Sequence, residues 1–255
     1  MALFTKIEWT HHTCNLWHGC TKVHSGCYNC YAECISKRWG HDIWGADNPR
    51  RYIKSAFTDL DTYQVMAKDS NEIHRVFIGS MQDIFEKPMP MIDSNGNILE
   101  QTTGSLRDQL FQNISDGKYP NLMFLLLTKR PSNINKYIPE SWREQPPVNV
   151  MFGTSPSNQS TANNLVNQLI LVNGKRFLSV EPQLNRIILL PWLRRELIDW
   201  VIVGGESGPG RRPYNTDWGR KLRDECYVTK TPFFFKQVDK VKSIPKDLMV
   251  RQFYN

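Results

Sequence analysis

Long apolar runs are missing from this chain. Leu122–Leu127 is typical of the longest, far short of the roughly 20 apolar residues that a membrane-spanning helix needs. The first stretch, MALFTKIEWTHHTC, has no apolar core of signal-peptide length, so no membrane partner and a cytoplasmic location are the expectation. Internal repeats, low-complexity tracts and blocks of like charge are absent as well, which argues against repeat arrays and charged tails. Cysteine is scarce over most of the length. After Cys34 only Cys226 remains, whereas Cys14, Cys20, Cys27, Cys30 and Cys34 crowd the first 34 residues. Thiols clustered in a chain without signs of secretion read as metal ligands or redox groups, not as a disulfide scaffold.

What is present is a 255-residue chain, 40% hydrophobic and 22% charged, long enough to bury a core without staples. Lys plus Arg number 32 against 25 Asp plus Glu, a formal net charge of +7. That balance is compatible with a polyanionic partner such as nucleic acid, and equally with a plain basic surface.

Six short runs rich in β-branched and aromatic residues follow residue 74: Arg75–Ser80, Leu122–Thr128, Asn149–Thr154, Arg176–Val180, Trp200–Val203 and Pro232–Phe235. None alternates, as expected of strands buried on both faces of a parallel sheet. Helical spacing appears at 30–39, 103–116, 159–172, 187–198 and 215–226, with Ser157 and Asn158 as caps for the third of these. Alternation of this kind predicts an α/β fold in one domain: a partial (β/α) TIM-type barrel of six or seven parallel strands, with a doubly wound open sheet as the alternative. Residues 1–19 fit no simple pattern, and 86–102 reads as an inserted loop turning at Asn95-Gly96.

Polar residues end these runs: Ser80 with Asp83, Lys129, Ser155, Glu181, and Glu206 with Ser207. In parallel β/α folds such strand ends share one site. A Glu181–Glu206 carboxylate pair would suit a hydrolase, although that reading leaves the cysteines idle. The stretch GPGRRP offers Arg211 and Arg212 beside a glycine-rich turn, either to an anion or to a neighbouring carboxylate. Trp9, Trp17, Tyr28 and Tyr31 are candidates for stacking on a base or for packing the core.

Cys20-x6-Cys27-x2-Cys30 allows two metal readings. Zinc in a closed structural site takes four ligands, with His18, His24, Cys34 or Cys14 to complete it. An iron–sulfur cluster held by three thiolates leaves one iron open. Gly26 would let the backbone turn closely around either.

The run TKIEWTHHTCNLWHGCTKVHSGCYNCYAE, followed in order by LLLTKRP, FLSVEP, GGESGPGRRP and FFFKQ, resembles a phage-associated family of three-cysteine, radical-SAM-like proteins. That family is distantly similar to spore photoproduct lyase. The resemblance implies a partial barrel of the radical SAM kind, with a [4Fe–4S] cluster on Cys20, Cys27 and Cys30 and S-adenosylmethionine chelating the open iron. A one-electron reductant would be needed, and the product would be a 5′-deoxyadenosyl radical. It places Ser80 and Asp83 at the methionyl end of the cofactor, with Lys129, Ser155 and Glu181 near its carboxylate and ribose. Glu206 and Ser207 fall on the substrate side, and Lys129 and Glu206 are the catalytic candidates. The six-residue first gap, Asn29 before the last cysteine and the late Gly204-Gly205-Glu206 depart from the commonest pattern. The implied activity is modification or rearrangement of a nucleic acid base, such as isomerising an amino-acid-modified thymidine in phage DNA. A DNA lesion repair lyase and a zinc-stabilised nucleic-acid-binding protein are the alternatives.

Overall fold

Every residue of Val150–Thr154 is buried, and so are those of Trp200–Gly204, because both runs lie inside one parallel sheet. The computed structural model describes residues 5–254. Along the chain come β1 (His12–Cys14), β2 (Trp17–His18), α1 (Tyr31–Arg38), β3 (Arg50–Tyr52), α2 (Ala56–Asp69), β4 (His74–Ile78), β5 (Pro90–Ile92), β6 (Ile98–Thr102) and α3 (Thr103–Ser115). They are followed by β7 (Leu122–Thr128), α4 (Ile134–Tyr137), α5 (Glu140–Glu144), β8 (Val150–Thr154), α6 (Gln159–Leu169), β9 (Lys175–Val180), α7 (Leu190–Leu193), β10 (Trp200–Gly204), α8 (Thr216–Thr229) and β11 (Phe233–Gln237).

Seven strands form one all-parallel sheet in the order β1-β4-β7-β8-β9-β10-β11, curled into a half-barrel. Chain order equals spatial order, so the order reversal that marks a doubly wound sheet does not occur. All seven strands therefore end on the same rim.

The two faces of the sheet pack differently. Towards the helices, Val76, Phe124, Phe152 and Val201 join the main core. The concave face carries Phe77, Leu125, Met151, Phe177, Ile202 and Phe234, with Trp9 and Trp200 among them. Trp9 packs against Phe77 with the rings tilted by 46° and their centroids 4.7 Å apart. Trp9 and Trp17 are 1% and 0% exposed, so both are core residues. Gly153 stands where a Cβ would come within 2.4 Å of the Phe177 ring; its missing side chain is what lets that ring fill the concave layer.

Several expectations are corrected. Residues 12–14, unclassified in the sequence, supply the edge strand β1, paired to β4. The segment 86–102 is a β-hairpin, β5–β6, and not a loop. It joins β2 and β3 in a second, four-stranded sheet. Its turn does sit at Asn95-Gly96: the Asp93 carboxylate accepts the Asn95 and Asn97 N–H groups at 2.8 and 2.9 Å, and Gly96 has φ +87°. Helix α2, not anticipated, buries Ala56, Leu60, Tyr63 and Ala67 at helical spacing. The stretch 187–198 yields only the four-residue α7, with Pro191 in its first turn and Glu196 at φ +53°. Asn158, not Ser157, caps α6, in a reciprocal box with Thr161.

At the opposite end from the shared rim, His11, His12 and His74 cluster where β1 meets β4. His12 Nε2 lies 3.0 Å from His74 Nδ1, and the His11 and His74 rings stack at 4.7 Å. Burial, then Arg75, His74 and His12, push His11 down to about 4.

Two outcomes are expected. Gly153→Ala drives a methyl into the Phe177 ring and lowers stability by about 1–3 kcal/mol, read from the denaturation midpoint. His11 stays neutral in the fold but protonates near pH 6.5 when unfolded. Its contribution is therefore complete above about pH 6.5 and is lost as pH falls through that value toward 4. Denaturation midpoints at pH 7.5 and 5 check this, and His11→Asn flattens the difference.

Candidate functional site

The strand ends and the cysteine loop meet around one cavity. Cys20, Cys27 and Cys30 line it, together with Ser80, Asp83, Lys129, Ser155, Glu181, Glu206 and Ser207. Every residue singled out from the strand termini is thus brought together. The alternative ligands are not. Cys14 points to the helix side, its thiol 3.6 Å from Ala56 O. Cys34, His18 and His24 do not line the cavity. His18 lies by Trp39, and His24 accepts the Gly26 N–H at 3.1 Å through Nδ1. Among the described residues no group of three or more His, Cys, Asp or Glu is arranged to hold a metal ion.

A buried ionic network seats the first cysteine. Arg50, 0% exposed, donates to Glu86 through Nε at 2.9 Å and Nη2 at 2.8 Å. Nη1 also reaches Ile43 O and Asn48 O, and Nη2 is shared with Gly45 O and Thr21 Oγ1. Arg50 thereby ties both sides of the cysteine loop to the segment after β4. Arg130, at the end of β7, donates to Asp83 at 2.7 Å and to Thr21 O at 2.6 Å, and its Nη1 stands 3.8 Å from Cys20 Sγ. Asp83 also accepts from Phe85 N, Thr128 Oγ1 and Lys129 N. Its carboxylate is thus bonded to the scaffold on both oxygens. Burial, with Asp83 adding, pushes the Cys20 thiol up to about 12; Arg130 pulls the other way. Burial also raises Cys30, opposed by nearby backbone N–H groups and by Lys129.

A clasp holds the loop from the far rim. Asn29 Nδ2 donates to Glu206 Oε2 at 3.0 Å and to Gly210 O at 2.9 Å. Arg212 grips the same carboxylate through its guanidinium and, at 2.9 Å, its backbone N–H, and it reaches Ser25 O at 3.2 Å. Burial works to raise Glu206, but the bonds from Arg212 and Asn29 outweigh it and hold the carboxyl below its usual range. Of the two roles open to GPGRRP, Arg212 takes the carboxylate pair, while Arg211 faces Asp239 at 3.5 Å. Gly26 allows the loop to settle here, since a Cβ would meet Ser157 Oγ at 2.2 Å.

The cavity floor keeps polar groups of its own. Glu181 pairs with Lys236 of β11, across Gly204, which has no side chain to intervene. Ser80 Oγ accepts from Asn15 at 2.8 Å, and Tyr31 Oη donates to Ser80 O at 2.8 Å. Lys129 lines the wall, and among the described residues its ammonium has no carboxylate partner.

Arg50, Glu86, Asn29's bond to Glu206 and Lys236 were missed by sequence reasoning. Each acts through a partner 36 to 177 residues away, which no local pattern reveals.

A family model described as "Protein of unknown function (DUF5131)" matches residues 4–247. The chain belongs to the DUF5131 family. No curated protein and no solved structure matches it. The match spans both sheets, the cysteine loop and every cavity residue named above.

Removing one member of the buried pair leaves a charge stranded. Arg50→Met should destabilise this DUF5131 protein by about 3–5 kcal/mol, whereas the double variant Arg50→Met/Glu86→Leu should recover most of that loss. A denaturation double-mutant cycle measures both.

Proposed function

We propose that this protein is a radical S-adenosylmethionine enzyme that holds a [4Fe–4S] cluster on Cys20, Cys27 and Cys30 and modifies or rearranges a nucleic acid base. The observation that carries the reading is that three thiols, without a fourth cysteine or a histidine, line one cavity at the rim of a parallel half-barrel, although they are not gathered into a ligand group there. A donor set of three suits a cluster with one iron left for a small molecule, and thiolates are the usual cluster ligands. When bound, the cluster with S-adenosylmethionine would supply a 5′-deoxyadenosyl radical able to take hydrogen from an unactivated C–H bond.

The chain's own residues do the rest. Cys20 and Cys30 carry raised thiols in the unloaded protein, so thiolate formation is disfavoured until a metal centre compensates it. The Arg130 guanidinium beside Cys20 eases that cost. Lys129 offers a free ammonium to a carboxylate, and the Glu181–Lys236 pair offers one group of each sign to an amino acid moiety or a ribose. Ser80 and Ser155 also line the cavity and add hydroxyls to it. Asp83 and Glu206 orient other groups: Asp83 fixes the end of β7, and Glu206 fixes the cysteine loop. The apolar concave layer under Trp9 closes the floor against water.

Base modification is the substrate reading that fits the net charge of +7. In the phage setting this corresponds to thymidine hypermodification, such as isomerising an amino-acid-modified thymidine.

Anaerobic reconstitution with iron and sulfide should load about four iron and four sulfide per chain and, with dithionite and S-adenosylmethionine, release 5′-deoxyadenosine. Alanine at Cys20, Cys27 or Cys30 should abolish both, and alanine at Cys34 should abolish neither. One zinc per chain with no sulfide, or full activity in the three alanine variants, contradicts the reading.

A further inference from the structure

We infer that the outer face of the cysteine loop and α1 binds a single-stranded nucleic acid, so that the target base arrives within a polynucleotide and not as a free nucleotide. This rests on the base-modification reading for its purpose, but not for its observation.

The exposed aromatics of the described surface are Tyr28, Tyr31, Trp39 and Tyr227, and three of the four fall within residues 28–39. Tyr28 is 66% exposed and Trp39 is 54% exposed, although Trp39 leans on His18 at 6.0 Å between centroids. Val23, 45% exposed, belongs to the same loop. The buried Trp9 and Trp17 show that the fold has room for aromatics in its core. Leaving several in water on one short segment has a cost that a stacking partner removes.

Charge on this segment is predominantly positive, with Asp42 as an acid near Lys37. Residues 20–39 contain Lys22, Lys37 and Arg38 against a single acid, Glu33. Glu33 is buried beneath the two lysines, at 2.6 Å from Lys22 Nζ and 2.8 Å from Lys37 Nζ. The carboxylate therefore steers the ammonium groups while hiding its own charge. Lys22 Nζ also approaches Tyr28 O at 3.4 Å, which sets a cation beside the exposed ring's backbone.

Aromatic faces interleaved with cations are what a nucleic acid strand needs: stacking for the bases and counter-charge for the phosphates. Two of these aromatics flank α1, Tyr28 three residues before its start and Trp39 directly after its end. The eight residues of α1 between them alone rise on the order of 12 Å, the length of three or four nucleotide steps at about 3.4 Å each. A single nucleotide cannot touch both. The surface also runs into the cavity, because Lys22 and the exposed Val23 and Tyr31 are among the residues that line it.

The test is fluorescence anisotropy of a labelled 12-nucleotide oligo-dT with the full-length protein before cluster loading, so binding and radical chemistry can fail separately. The strand should bind more tightly than thymidine monophosphate, and binding should weaken as salt rises. Tyr28→Ala and Trp39→Ala should each weaken it by about 5- to 100-fold, and Tyr227→Ala should leave it unchanged. Equal binding of strand and mononucleotide, or wild-type affinity in both rim variants, would overturn the inference. So would a poly-glutamate chain of matching charge that binds as tightly, since that would assign the face to an acidic protein. Strand binding by a protein that never assembles a cluster would uphold this surface while removing the radical reading.

Discussion

The Arg50–Glu86 pair is the contact on which the site depends. A fully buried guanidinium has to satisfy all its donors, and Arg50 does so by gathering Glu86, Thr21, Ile43, Gly45 and Asn48 around itself. Such a group specifies a position more than it stabilises one, because its desolvation offsets most of its attraction. Its consequence is geometric: Thr21, next to Cys20, and the segment 43–48 are fixed to the segment after β4. Arg130 and Asp83 extend the same network to the end of β7. The clasp of Asn29, Glu206 and Arg212 then ties the other half of the loop to the end of β10. The cysteines are thus held between two charged anchors on opposite sides of the half-barrel, although they sit in a segment with little regular structure.

This division of labour explains why the acidic residues at the rim differ in availability. Asp83 and Glu206 have their oxygens filled by scaffold donors. Glu181 is shared with a lysine that itself faces the cavity, and Lys129 is uncommitted. The proposed cofactor contacts therefore concentrate on Lys129, Glu181, Lys236 and the serines.

Much of the barrel could be read from the sequence because buried parallel strands are local features: short apolar runs of four to seven residues, four of the six followed by helical spacing. Leu122–Thr128 is found with its bounds unchanged. The polar residues after those strands were also readable, since parallel strands of one sheet end on one side. Short elements were not. β1 has three residues and draws its identity from pairing with β4, and β5 and β6 form a hairpin whose outer residues are largely exposed, so neither leaves a periodic trace. The same limit applies to the site. Three cysteines at close spacing announce themselves, but Arg50 resembles any other arginine until the fold brings Glu86 to it. Nor could the sequence separate buried Trp17 from exposed Trp39.

The central claim is that the three thiols hold an iron–sulfur cluster with one iron open to a small molecule. Electron paramagnetic resonance of the anaerobically reconstituted, reduced protein tests it most directly. The account predicts a [4Fe–4S] signal that changes on addition of S-adenosylmethionine, reporting ligation at the open iron. A cluster signal indifferent to S-adenosylmethionine, or no cluster signal after reconstitution, would contradict it.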